Sequence, residues 1–293
     1  MPRAFTAIVN PAAGGSASAA SLVPLARALR DAGADLAVEY SRGLPHAADL
    51  ARHAAAEDAS SSASARRQVG CVGGALAGTD ALFGIVPAGR GNDFARQLGV
   101  PADPAALARL LLDGEPRAVD AIKADGTTVL GSVYAGVDAV ANANANRSRV
   151  LRGSAAYYAG ALRAIAAWRP ADYRVTVDGA EHRFRGYSVI AANSGYYGFN
   201  KHIAPDARVD DGLLDVVLIR SAPKPLFFAV MRELEAGTHV RRPQVEVLRG
   251  REVRIELAGP PGRTLPYGAD GELPGTLPVT ARVLPGALRV VGL

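Results

Sequence analysis

Cysteine is almost absent from this sequence. Cys71 is the only one in 293 residues, which excludes an internal disulfide framework and any multi-cysteine zinc site. Histidine is scarce as well, five residues scattered singly, a poor basis for a zinc enzyme. No apolar run approaches the roughly 18 to 20 residues of a bilayer span, and Met1 to Asn10 lacks the charged start, apolar run and cleavage site of a secretory signal. These absences point to a cytoplasmic protein. What is present is 49% hydrophobic against 21% charged residues, enough for one large domain or two ordinary ones and too apolar for a disordered chain. Lys+Arg exceed Asp+Glu by 33 to 28, a net charge of +5. Arg241, Arg242, Arg249, Arg251 and Arg254 lie close together, either a patch that attracts phosphates or a membrane surface, or an ordinary solvated face. Nothing in the sequence carries the signature of a nucleic-acid-binding fold.

The pattern of apolar residues predicts strand, glycine loop and helix in repeated units. Ala4 to Val9 reads as a strand that ends in Asn10-Pro11-Ala12-Ala13-Gly14-Gly15, and Ser18 to Ala32 reads as a helix. A second strand at Ala34 to Tyr40 precedes a helix at His46 to Ala56. Leu82 to Val86 is again a strand, Pro87 to Asp93 a glycine loop, and Phe94 to Leu98 starts another helix. Such alternation implies a doubly wound, mostly parallel sheet. After about residue 120 to 130 the rhythm changes to strand candidates, among them Val119 to Lys123, Val129 to Ala135, Tyr187 to Ala192, Leu214 to Ile219 and Pro278 to Val283. Two helices interrupt them, Ala155 to Trp168 and Leu226 to Glu235, so an antiparallel β-rich second domain is expected. One segment breaks the first pattern. Ala54 to Ala65 is nearly all Ala and Ser where a third strand is due, and a buried parallel strand favours Val and Ile. It reads as a helix tail running into a flexible loop.

Two loops have the chemistry of phosphate sites. In Asn10 to Gly15, glycines let backbone N–H groups face an anion at a helix N-terminus, although a plain strand-to-helix turn would look the same. In Pro87-Ala88-Gly89-Arg90-Gly91-Asn92-Asp93, polar groups follow a strand's carboxyl end, where open α/β sheets bind ligands. There Asp93 either holds a Mg²⁺ bridging nucleotide phosphates or, with Asn92, caps the next helix. Two further segments complete an ordered set: Ala204-Pro205-Asp206-Ala207-Arg208-Val209-Asp210-Asp211-Gly212-Leu213-Leu214-Asp215 and Asp270-Gly271-Glu272.

Taken in order over nearly the whole chain, these four motifs resemble the diacylglycerol kinase catalytic-domain family, which includes bacterial lipid kinases and sphingosine and ceramide kinases and is related to NAD kinases. The resemblance implies a nucleotide-binding α/β domain over residues 1–125, a β-rich lipid-substrate domain over 126–283, and a last segment, 284–293, that returns to the first domain. It implies ATP and Mg²⁺ as cofactors, a membrane lipid alcohol as substrate, and a protein peripherally associated with the inner face of the membrane, with a homodimer left open. By motif match Glu272 is the general base and Asp270 its neighbour in the same turn. Asn10, Gly14, Gly15, Ser41, Gly89, Arg90, Gly91, Asn92 and Asp93 line the nucleotide site, with Arg90 where the family often has Thr. A structural Mg²⁺ falls to the Asp211 carboxylate and the backbone carbonyls of Arg208 and Leu213. Leu226, Phe227 and Phe228, upstream of the arginine cluster, read either as part of a membrane-docking surface or as core.

One departure bears on activity. The family's central Gly-Gly-Asp-Gly-Thr loop is missing, and its spacing places Ser64, Ala65, Arg66, Arg67 and Gln68 there, so that Arg66 replaces the metal-linked aspartate. The helix after that loop, Val69 to Asp80, would carry Gly70, Gly73, Gly74 and Gly78, each costing about 1 kcal/mol against Ala. A second register makes Gln68 to Val72 the strand and Gly73 to Asp80 the loop, at the expense of the crossover helix that parallel strands need. The sheet is therefore expected to lack its third strand or hold it weakly. The activities that follow are a lipid kinase, a kinase of a soluble substrate, or a binding protein without turnover.

Overall fold

The computed structural model describes residues 4–11, 16–57, 60–64, 66–88, 92–147, 165–198, 200–259, 262 and 264–292. The first half is built from β1 (Ala4–Val9), α1 (Ser16–Asp31), β2 (Asp35–Tyr40), α2 (Leu44–Ala56), β3 (Ser60–Ser64), α3 (Arg66–Leu76), β4 (Leu82–Val86), α4 (Asp93–Gln97) and α5 (Pro104–Asp113). Local chemistry explains most of these. Leu22, Leu25 and Leu29 recur at helical spacing on the buried face of α1. Asp103 caps α5 by accepting the N–H of Ala106 at 2.8 Å, with Pro104 in the first turn.

The third strand is present, contrary to the reading of Ala54 to Ala65 as a loop. β3, Ser-Ser-Ser-Ala-Ser, lies between β1 and β4 and is parallel to both, with Ser62 opposite Ala7 on one side and Gly84 on the other. Residues with little strand preference are held there by two apolar neighbours that each offer a ladder of backbone groups. The second register is excluded, since Gln68 to Val72 lies inside α3. The glycines of α3 have a tertiary reason. A Cβ on Gly73 would stand 2.6 Å from Leu130, and one on Gly74 3.1 Å from Thr128. Their lack of side chains lets the helix lie close against the second half of the chain.

That second half contains β5 (Pro116–Ala124), β6 (Thr127–Val129), β7 (Ser132–Gly136), α6 (Val137–Arg147), β8 (Ala171–Val177), β9 (Ala180–Ala192), β10 (Tyr196–Tyr197), β11 (Lys201–His202) and β12 (Leu214–Arg220). It continues with α7 (Lys224–Glu233), a 3₁₀ turn (Thr238–Arg241), β13 (Val245–Gly250), β14 (Glu252–Leu257), β15 (Pro266–Ala269), β16 (Glu272–Thr276) and β17 (Val279–Val291). Its pairings are antiparallel, with β9 between β7 and β8 and also bonded to β12. The fold is therefore α/β with a parallel first sheet and a β-rich antiparallel second part. α6 is an additional helix that the sequence pattern did not show, and β13 an additional strand. Most of the expected helix at Ala155 to Trp168, residues 155–164, lies outside the described residues.

The halves are joined by more than the chain. β17 runs antiparallel to β5 and β14 and then parallel to β4, with Arg289 opposite Leu82. Ile8, Val72, Leu76, Phe83 and Ile85 share one core with Leu130, Val209, Leu288 and Val290. Gln97 in α4 accepts the N–H of Gly195 at 3.0 Å and donates to the Ala207 carbonyl at 3.3 Å. No helix among the described residues is long and apolar enough to cross a membrane.

Candidate active site

The carboxyl ends of β1, β2, β3 and β4 share one edge of the parallel sheet, where the strand-to-helix turns must lie. Asn10 follows β1 and Ser41 follows β2. The Ser41 N–H donates to the Val9 carbonyl at 2.8 Å, which draws these two turns together. Ser41 is buried, 4% exposed, and its hydroxyl makes no hydrogen bond among the described residues. After β4, Asn92 stands at the N-cap of α4 without a side-chain capping bond. Asp93 reaches across to the second half instead, its carboxylate accepting the N–H of Asn200 at 2.7 Å. Gly14, Gly15, Gly89, Arg90 and Gly91 lie outside the described residues.

The 270–272 turn approaches the same edge from the other side. Asp270 has a positive φ of 47° and is followed by Gly271 at 90°, which produces a tight turn between β15 and β16. Its carboxylate accepts three backbone N–H groups, Leu130 at 2.7 Å, Gly131 at 2.9 Å and Ser132 at 3.1 Å. Burial pushes the Asp270 carboxyl above its ordinary range, the three amides pull it back, and the nearby charge of Asp93 pushes it up again. A Cβ on Gly70 would stand 3.1 Å from Asp270 Oδ2, so the first turns of α3 lie against this turn. Asn142 in α6 holds the turn's far side, donating to the Gly271 carbonyl at 2.8 Å and to the Tyr134 hydroxyl at 3.2 Å. Asp270 is thus an anchor with both oxygens in use, and the half-buried Glu272 is the carboxylate carried at the end of the anchored turn. The structure brings Asp93 and the start of α3 near Asp270, at the head of the turn that carries Glu272.

The 208–213 turn shows a different chemistry from the one its sequence suggests. The Asp211 carboxylate accepts the Leu213 N–H at 3.1 Å and pairs with Arg249. A guanidinium from the chain itself already stands at this carboxylate, and a divalent ion would have to displace it or sit against like charge, a poor fit to the expected ion site. Among the described residues no group of three or more His, Cys, Asp or Glu is placed to hold a metal. Asp120, unnoticed in the sequence, organises this junction by accepting Gly212 N–H and Gly286 N–H, each at 2.7 Å.

Sequence reasoning also missed a polar cluster in the second half. Asp138, in the first turn of α6, is half-buried and accepts hydrogen bonds from the Ser188 hydroxyl and, at 3.4 Å, from Tyr197. Burial pushes its carboxyl up to about 6, against the pull of those bonds. The long apolar run of β9 hides Ser188, and only the fold pairs it with Asp138. The arginine cluster is largely occupied. Arg242 forks onto Glu233 at 2.6 and 2.9 Å, Arg249 meets Asp211, and Arg254 lies 3.0 Å from Glu256. Phe227 is core, stacked on Tyr187 with centroids 4.1 Å apart, whereas Phe228 is 43% exposed.

Comparison with known proteins agrees with this architecture. Residues 4–124 match the family model described as diacylglycerol kinase catalytic domain, and residues 131–292 match the YegS C-terminal NAD kinase beta sandwich-like domain. A curated "Diacylglycerol kinase" of Mycobacterium tuberculosis is 32% identical over 98% of this chain and 94% of its own length. A "Probable lipid kinase YegS-like" of Pseudomonas syringae is also 32% identical, over 72% of each chain. A diacylglycerol kinase crystal structure from Bacillus anthracis superposes with a TM-score of 0.71 at 20% identity, covering 99% of this chain and 97% of that one, a likeness of fold. On its own matches and on the relatives that span its length, the chain belongs to the diacylglycerol kinase catalytic-domain family of lipid kinases.

Proposed function

We propose that the protein is an ATP-dependent lipid kinase that transfers the γ-phosphate to a lipid hydroxyl, diacylglycerol or a sphingoid-like alcohol, at the inner face of the membrane. The observation that carries this reading is the convergence of Asp93 and the start of α3 with the anchored Asp270-Gly271-Glu272 turn. Phosphoryl transfer needs positioning and charge stabilisation more than covalent help from the protein, together with a carboxylate that accepts the proton of the attacking hydroxyl. Glu272 has that role. Asp270, through the Leu130, Gly131 and Ser132 amides, and Asn142, through the Gly271 carbonyl, fix where its carboxylate stands. Asn10, Ser41 and Asp93 follow the carboxyl ends of β1, β2 and β4, where this reading puts the nucleotide phosphates. The divalent ion, Mg²⁺ in this reading, arrives with ATP as part of the substrate and supplies charge neutralisation between the phosphates. Phe228 on α7 is the exposed aromatic that the membrane contact would use.

A second reading, a nucleotide- or lipid-binding protein without turnover, is favoured by Arg66. It opens α3 where the family's loop carries its metal-linked aspartate. The test is ATP-dependent phosphate incorporation into diacylglycerol, sphingoid and other lipid alcohols in mixed micelles with Mg²⁺. The kinase reading expects transfer by the intact chain and a loss of about 10²- to 10⁴-fold in Glu272→Ala, the usual contribution of a general base. A folded wild-type chain that binds nucleotide and transfers nothing selects the second reading.

A further inference from the structure

Arginines face three carboxylates near the start of β12, Asp210, Asp211 and Asp215, and the charges of Asp211 and Asp206 both bear on Asp215. Arg117 and Arg208 lie 3.4 and 3.3 Å from the carboxylate of Asp210. Arg249 serves the other two, pairing with Asp211 Oδ2 while its Nε stands 3.6 Å from Asp215 Oδ1. The sheet sets this position, because Asp215 on β12 is directly opposite Arg249 on antiparallel β13. A guanidinium has five donors in a planar fork and can face two carboxylates at once. The remaining oxygen of Asp211 accepts the Leu213 N–H. Asp215 Oδ2 has no hydrogen bond among the described residues. Its side chain is 3% exposed, shut off from the solvent from which an ion would come, and the positive charge beside Oδ1 is that of Arg249.

We propose that Arg249 is the resident counter-cation of this turn, bridging Asp211 and Asp215 in place of a structural divalent ion. The junction between the two halves then keeps its shape without metal. The Gly212 and Gly286 amides are already tied to Asp120, so the remaining task at the turn is to neutralise charge. This inference concerns the integrity of the fold and stands whether or not the protein transfers phosphate.

The test is thermal unfolding of the full chain, without nucleotide, in EDTA, in millimolar MgCl₂ and in NaCl of matched ionic strength. Wild type is expected to unfold at one temperature in all three. Arg249→Gln is expected to unfold about 2 to 4 °C lower in EDTA and to recover in MgCl₂ more than in NaCl. A wild-type midpoint that falls in EDTA and returns only with Mg²⁺ overturns the proposal, as does an Arg249→Gln midpoint equal to wild type. Should Arg249→Gln fail to fold, magnesium content after gel filtration of wild type decides: one retained ion per chain overturns the proposal, and none supports it.

Discussion

β9 and β3 both run through the interior of the same sheet, yet they are made of opposite material. From Tyr187 to Ala192, β9 presents buried side chains and two sets of strand neighbours, and Ile190 is completely enclosed. β3 has four serines and an alanine, and its place between β1 and β4 rests on backbone ladders to two apolar strands. The first can be read as a strand from what its own side chains bury, whereas what is described of the second is backbone paired on both sides with its neighbours. A strand of the second kind has no signal in its own residues.

The sharpest way to test the β9 side of this comparison is to truncate Ile190. Ile190→Ala is expected to cost about 2 to 5 kcal/mol through lost burial and a cavity, read as a lower denaturant midpoint, and a loss below about 0.5 kcal/mol would mean that β9 is not held through its side chains. A smaller effect isolates the half-buried acid beside β9. Asp138 titrates at about 6 in the folded chain and near 4 when unfolded. Between those values the folded state keeps a proton that the unfolded state has released, so this group makes stability fall as pH rises from about 4 to about 6. Asp138→Asn removes that loss and still offers Ser188 an acceptor. Its stability relative to wild type should rise by about 2 kcal/mol across that window, and parallel pH profiles would refute the assignment.

The legible parts of the site were the short motifs. Asn10, Asp93, Asp211, Asp270 and Glu272 stand out because their motifs occur in order along the chain, although each motif alone also reads as an ordinary turn or cap. Their partners did not stand out. Asn142 lies in a stretch of alternating Ala and Asn that does not announce a helix, Asp120 sits inside a strand, and Arg249 reads as one of several clustered arginines. Each acquires its role from a contact across the chain: to Gly271, to Gly212 and Gly286, and to Asp211.

The order of strands and helices, the change from parallel to antiparallel building and the motifs at the strand ends were determined by the sequence itself. Each depends on periodicity or turn chemistry within a few consecutive residues. Tertiary structure alone decided that Ser60–Ser64 is a strand, that the glycines of α3 are contact points for Thr128, Leu130 and Asp270, and that an arginine faces Asp211. These outcomes depend on groups from distant segments reaching one place, where a missing Cβ, an unpaired backbone edge or an unbalanced carboxylate acquires a partner.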